Sequence, residues 1–316
     1  MVILEGVDGS QFPLSAVGGT GDVWLNKGAK GLDMLPWDVQ VEEYPALHGS
    51  YPRAVRGLSR EILLPLTIYG ETRPAMVAQK RRLVSALNPS LMATRSPKLI
   101  VAEADTEGTY EDQREIDVYY AGGLEGDEGT DNGLTWGRYG LVLRSTEPFF
   151  RARRDIVKTF SETPAGLKPF FPDDNVFLSD DGESGGFKLT SDPRWVDKVT
   201  IVNPGSVGAY PTWTIVGPIS GPFNLVREAT RYGPQQTLMI KTLSLGAGQS
   251  ATIVTEPGKV KVTASAGATA DWSTLAINPT FWTLDPGPNV VSIQGLPAGV
   301  RPSKLQGTFR PRYLGM

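Results

Sequence analysis

His48 is the only imidazole that this chain of 316 residues offers to acid–base chemistry. A Ser–His–acid arrangement would have to use it, and such sites are defined by geometry rather than by presence. It lies in ALHGSYP, directly before a glycine and between two strand-like segments, where it reads as a turn residue. A multi-histidine metal site is impossible with one histidine, and the absence of cysteine removes thiolate nucleophiles, disulfides and Cys-ligated metals together.

Carboxylate pairs are the remaining route to catalysis, since two acids across a cleft can hydrolyse glycosides. Asp127, Glu128 and Asp131 cluster in one Gly-rich stretch, and Asp173, Asp174, Asp180, Asp181 and Glu183 in another. Neither cluster has the alternating Asp/Asn pattern, central glycine and distal glutamate of a calcium loop. Both read as solvated loops. No Gly-x-x-x-x-Gly-Lys-Ser/Thr loop occurs, and the Gly-rich segments do not join a strand to a helix, so nucleotide binding has no physical basis. The expectation is a protein without catalytic residues, metal or cofactor.

Binding chemistry has more candidates. Lys80, Arg81 and Arg82 form a basic run on a predicted helix, which reads as a solvated face or as a surface for an acidic partner. Trp24, Trp136, Trp195, Trp213, Trp272 and Trp282 have the ring size for sugar stacking, but alternation along strands favours core or interface packing. Lys plus Arg number 31 against 34 Asp plus Glu, with a pI near 5.4, so the basic excess of a nucleic-acid binder is missing.

The elements that must position these residues are mostly strands. With 36 Gly and 25 Pro the chain is rich in turns, while 40% hydrophobic residues are enough to build a core. In RGLSREILLPLTIYG, Ile62, Leu64, Leu66 and Ile68 alternate with Glu61, Leu63, Pro65 and Thr67, the period of a strand with one buried face. Pro65 cannot donate a ladder hydrogen bond, which predicts an edge strand. Asp8-Gly9 predicts a hairpin turn near the start, and Trp37–Glu42 a second strand. One helix is predicted over 74–87, with Thr72 as cap, Pro74 in its first turn, and Val77, Lys80, Val84 and Leu87 on one face. KLIVAE, REIDVYY and RYGLVLRS follow as strands. Beyond a polar connection, KVTIVN, PTWTIVGP, TLMIKTL, SATIVTE, KVKVTAS, NVVSIQG and TFRPRY are spaced like the strands of a sandwich. The start lacks a basic stretch followed by an apolar run, and no run of about 18 apolar residues occurs, so a soluble chain made in a cytosol is expected.

The order of these segments carries a resemblance. GLDMLPWDVQVEEYPALHGSYPRAVRGLSREILLPLTIYG, then RRLVSALNP, KLIVAE, REIDVYYAGGLEG and RYGLVLRSTEPFFRA, with the corner Glu147-Pro148-Phe149-Phe150, resemble the distal tail (Dit) protein family of long, non-contractile-tailed bacteriophages. VTIVNPGSVGAYPTWTIVGP, FWTLDPGPNVVSI and TFRPRYLG resemble the galectin-like β-sandwich of the same family. The long segment near 160–195 departs from that pattern. The resemblance implies a mainly β protein with an N-terminal ring-forming (belt) domain at 1–155 carrying one α-helix. It also implies a connection or inserted arm at 156–195 and a galectin-like antiparallel β-sandwich at 196–316. It further implies a structural hub at the virion tail tip: a hexameric ring joining the tail tube protein to tail-associated hub, fibre and receptor-binding proteins. DNA would pass through its lumen without stable binding, and no membrane would be involved. Within that expectation Ile62, Leu64, Pro65, Leu66, Ile68, Lys80, Arg81 and Arg82 lie at the subunit boundary. The competing expectations are a carbohydrate-binding β-sandwich module and another minor tail-tip subunit.

Overall fold

The computed structural model describes residues 1–14, 22–44, 48–92, 95–102, 112–125, 133–162, 194–195, 197–296 and 302–316. The acid clusters Asp127/Glu128/Asp131 and Asp173/Asp174/Asp180/Asp181/Glu183, and most of 156–195, lie outside them. Among the described residues the chain is mainly β with one α-helix, and it falls into two compact units. Unit 1 comprises Met1–Asp155, Gly205–Val207 and Arg310–Met316; unit 2 comprises Ile156–Pro204 and Gly208–Phe309.

In unit 1 the strands are β1 (Val2–Glu5), β2 (Gln11–Pro13), β3 (Val23–Leu25), β4 (Trp37–Glu43), β5 (Ser50–Gly57), β6 (Arg60–Tyr69), β7 (Lys98–Ala102), β8 (Gln113–Asp117), β9 (Tyr119–Gly122), β10 (Trp136–Ser145) and β11 (Phe150–Ala152). One antiparallel sheet runs β2-β1-β7-β8-β11 and ends on Arg312–Tyr313; a second runs β3-β6-β10-β9; β4 and β5 form a separate two-stranded sheet. Gly9 takes φ 79°, so the Asp8-Gly9 turn between β1 and β2 forms where a residue without Cβ is available. The core lies between the two larger sheets and beneath helix α1 (Arg73–Ala86), with Leu4, Leu99, Ile116, Ile62, Leu64, Leu66, Ile68, Leu141, Leu143, Met76 and Leu83 all buried.

The proline in β6 does not mark an edge. The strand is interior, paired with β10 along its full length and with β3 at Thr67 and its neighbours. Odd-numbered residues of β6 direct their backbone groups toward the β3 side: Leu63 exchanges both bonds with Lys30, and Tyr69 donates to Asp22. Pro65 belongs to that set, and its carbonyl accepts from Asn26 N at 2.7 Å. Its missing N–H faces the stretch where β3 has already stopped at Leu25, so no donor is lost. The boundary positions Ile62, Leu64, Leu66 and Ile68 are core residues, not a free edge.

The helix starts as predicted, with Thr72 Oγ1 accepting from Ala75 N, but its buried stripe is Met76, Leu83 and Ala86. Val84, expected inside, is exposed, because the face meeting β6 is set by Met76 and Leu83. REIDVYY divides at Val118 into strands of two different sheets.

Among the described residues, the two larger sheets of unit 2 are antiparallel, of five strands (156–159, 304–309, 212–216, 250–254, 261–264) and of four (198–203, 287–294, 223–227, 236–240). Trp213, Trp282, Phe160, Phe223 and Leu284 fill the core between them, and the rings of Trp213 and Trp282 meet edge to face at 5.4 Å.

Arg60 stands in register with Ile62, Leu64, Leu66 and Ile68 and, like them, is fully buried. Its Nε donates to Pro148 O at 2.8 Å, Nη1 to Gly31 O at 2.8 Å and Asp33 O at 2.9 Å, and Nη2 to Leu314 O, while the guanidinium sits 5.0 Å from the Phe150 ring centre. Replacing Arg60 with methionine orphans those carbonyls and is expected to cost about 3–5 kcal/mol in urea unfolding. The same change at exposed Arg56, which pairs with Asp38 at 2.9 Å, should cost under about 1 kcal/mol. Equal losses at the two positions would refute this role for Arg60.

Candidate functional site

Among the described residues of unit 1, the β4–β5 hairpin carries an apolar face that the rest of the chain leaves uncovered. Directly opposed residues of an antiparallel pair share a face. The register pairs Trp37 with Gly57, Val39 with Val55 and Val41 with Pro52, giving an apolar face that ends at Glu43. The opposite face carries Asp38, Gln40 and Glu42 against Arg56, Ala54 and Tyr51. Between Gln40 and Val41 the register shifts, which leaves Arg53 as the extra residue of a bulge.

The polar face satisfies itself. Arg56 pairs with Asp38, Arg53 pairs with Glu42, and Tyr44 Oη donates to Glu42 Oε2 at 2.9 Å. Tyr44 and Tyr51 meet edge to face at 6.0 Å. The apolar face has no such closure: Trp37 is 40% exposed, Val39 48%, Val41 55% and Val55 58%. Values of that size for four large apolar side chains on one face are the signature of a surface made to be covered.

The root of the hairpin is held tightly. Leu58 N donates to Pro36 O at 2.9 Å, and a Cβ at Gly57 would fall 2.6 Å from Leu35 Cδ1, so a larger residue where β5 leaves the arm requires the Leu35 side chain to shift. Arg60, three residues on, ties the approach segment at Gly31 and Asp33 to the same point. A rigid root carries an arm that lacks a core.

The other sequence-derived positions fall elsewhere. Lys80 lies over the Tyr139 ring at 4.9 Å and Arg82 over Phe12 at 4.8 Å; Arg81 and Arg82 are both exposed. His48 is an exposed residue of the turn before β5. Among the described residues no group of three or more His, Asp or Glu is placed to hold a metal ion. Trp213 and Trp282 are core, Trp24 stacks on Tyr69 at 5.8 Å, and Trp272 is an exposed ring against Phe281. The hairpin face was not among the sequence-derived sites, although the alternation of Trp37, Val39 and Val41 marks it.

The Arg53 guanidinium, with help from the Tyr44 hydroxyl, holds the Glu42 carboxyl below its ordinary value. The ionised form is thus the one the folded hairpin favours, so the tie is intact at neutral pH and is lost as pH falls through that lowered value. Amide protection in β4 and β5, taken as the observed exchange relative to the intrinsic rate at the same pH, should fall on acidification below the usual carboxylate range, and Glu42→Gln should show the reduced protection already at neutral pH. Protection factors in the wild-type hairpin that stay constant across that pH range would contradict this.

No family model matches the chain, and no curated protein matches it. Solved structures do. The chain is similar to the Dit protein (gp 19.1) of phage SPP1, described as a paradigm of the hub adsorption apparatus in phages infecting Gram-positive hosts, with a TM-score of 0.60, 11% identity and 99% of each chain covered. It also aligns with chains of the phage P2 baseplate in its activated conformation with Ca and with Sr, each at a TM-score of 0.46 and 11% identity, with 98% of this chain covered. Across nearly its whole length, the chain has the fold of the SPP1 Dit protein.

Proposed function

We propose that this chain is a structural subunit of a bacteriophage tail tip, assembling as a hexameric ring that joins the tail tube to the hub, fibre and receptor-binding proteins. The observation that carries the reading is the β4–β5 arm, whose polar face is closed within the chain and whose apolar face is open. Support comes from the full-length likeness to the SPP1 hub protein. Unit 1 supplies the ring-forming part and the unit 2 sandwich a docking platform; the role is to hold other parts in place, without turnover. No helix among the described residues is long and apolar enough to cross a membrane.

The arm and the surface that receives it are different patches, so the contact is heterologous and closes into a ring if the rotation between neighbours is right. Of the boundary positions read from the sequence, Ile62, Leu64, Leu66 and Ile68 act from within the core, Pro65 and Lys80 are half-buried, and Arg81 and Arg82 are exposed. The balance of 31 basic and 34 acidic residues suits a lumen that lets DNA slide through.

Native mass spectrometry of the purified chain is expected to show a species of six copies. Val39→Asp combined with Val55→Asp places two charges on the apolar face and should convert it to monomer, with the thermal midpoint of the isolated subunit unchanged. A ring that survives both aspartates, or a wild-type chain that stays monomeric at high concentration, would overturn the reading.

A further inference from the structure

We infer that a groove at the C-terminal end of α1 receives a segment of another protein in which an apolar side chain stands next to a lysine or arginine. The inference goes beyond the ring reading and holds whether or not a ring forms. The groove encloses ≈ 400 Å³, the size class of ligand-binding clefts. Its apolar lining is Val84, Leu87, Pro89, Leu124 and the Tyr120 ring. Leu87 and Leu124 are buried and form the floor, whereas Val84 is 46% exposed and is left for an occupant to cover. The Tyr120 wall is fixed, because its hydroxyl donates to Glu125 Oε1 at 2.7 Å and accepts from Leu124 N at 3.0 Å. A preformed trough of this kind takes a leucine side chain or the methylene stem of a lysine or arginine.

The polar groups of the lining set the occupant's chemistry. Glu125 is the one charged residue in the described lining, and its oxygens accept from the Tyr120 hydroxyl and from Gly123 N at 3.0 and 2.8 Å. Neutral donors orient a carboxylate and leave its charge in place. They hold the Glu125 carboxyl below its ordinary value, the Tyr120 hydroxyl most strongly, so the groove is negative at neutral pH. No cation pairs with Glu125 among the described residues. The helix adds the same sign: α1 ends at the groove with no basic residue in its last turn, and its terminal carbonyls favour a cation there. Lys80, Arg81 and Arg82 lie earlier on α1, outside the lining. Their charge remains, but a cation touching Glu125 is nearer to it than to them, and exposed charges are screened beyond about 10 Å. Ser85 and Asn88 complete the wall. Asn88 Oδ1 is used by Ser90, whereas Asn88 Nδ2 and the Ser85 hydroxyl bond to no described residue. An amide donor and a hydroxyl beside an apolar trough suit the carbonyl and N–H of a peptide, which a free amine lacks.

The chain has no cysteine, so a thiol introduced by Ser85→Cys is unique. This variant is equilibrated through mixed disulfides with the capped peptides Cys-Leu-Lys and Cys-Leu-Glu over a series of reductant concentrations. The lysine peptide should stay attached to a reductant concentration about threefold higher or more than the glutamate peptide. Adding Glu125→Gln should remove that preference, and Ile277→Cys, 89% exposed in unit 2, should show none. Ser85 and Glu125 are exposed, so folding is preserved and is checked by the thermal midpoint. Equal retention of the two peptides, a preference that survives Glu125→Gln, or the same preference at Ile277 overturns the site. Maleimide should label Ser85→Cys at the same rate in the assembled species and in the chain that also carries Val39→Asp and Val55→Asp. Protection confined to the assembled species gives the groove to a second copy and overturns the inference. The peptide comparison is read on monomer as well as on ring, so its failure leaves the ring standing and the loss of the ring leaves it intact.

Discussion

Unit 1 is organised around one buried cation. Arg60 takes a position that the strand period reserves for the core, and it meets no carboxylate there; backbone carbonyls of Gly31, Asp33, Pro148 and Leu314 surround it instead. Burial lowers its pKa, partly offset by nearby Asp33, yet a guanidinium starts so far above neutrality that it stays charged. Its flat fork of donors suits this arrangement, since several carbonyls from distant parts of the chain converge on one plane. The segment before β4, the corner after β10 and the C-terminal residues are fixed by the same group. Gly31 shows how little slack remains: its φ is 81°, and a Cβ there would fall 2.0 Å from Glu61 O.

That constraint accounts for the arm. A two-stranded hairpin with no core of its own is marginal in water. Here its root is held by the close approach of Gly57 to Leu35 and by Arg60 bonded to Gly31 and Asp33, which fixes where the two strands begin and end. Stability of the remainder comes from the Asp38–Arg56 and Glu42–Arg53 ties, which are exposed and individually weak. Covering the apolar face would contribute more than both. A strong anchor, a weakly stabilised blade and an open apolar face are together what an element that completes its folding on assembly requires.

Much of this was legible in the sequence. The period of two located β4, β6 and β10, and the same period placed Arg60 inside, had the register been extended one step beyond Ile62. The Thr72 cap and Pro74 located the helix start. What the pattern does not encode is coverage: alternation along Trp37, Val39 and Val41 shows that they share a face, and is silent on whether the same chain buries it. Val77 and Val84 on α1 illustrate the same limit, since Met76 and Leu83 offered an equally apolar stripe and tertiary contact chose it. Pro65 misled for a different reason. A missing donor is tolerated wherever the neighbouring strand is interrupted, and the end of β3 at Leu25 provides such an interruption inside a sheet. The terminal TFRPRY reads as one strand, yet Pro311 separates Lys304–Phe309 in unit 2 from Arg312–Tyr313 in unit 1.

The hairpin's own sequence argues for contact through its face and against contact through its edges. An edge that recruited another strand would leave its own far edge free to recruit the next unless the assembly closed, and sheets limit such addition with prolines, bulges and charges on their outer strands. β5 carries Pro52 and the Arg53 bulge, and the polar face carries alternating acids and bases. Strand addition is discouraged at each of these points. The apolar face has none of them, and it ends in a single uncompensated carboxylate at Glu43. A surface that is apolar over most of its length and charged at one end can be satisfied in one orientation only, and one-way contacts of that kind are the ones that closed rings are built from.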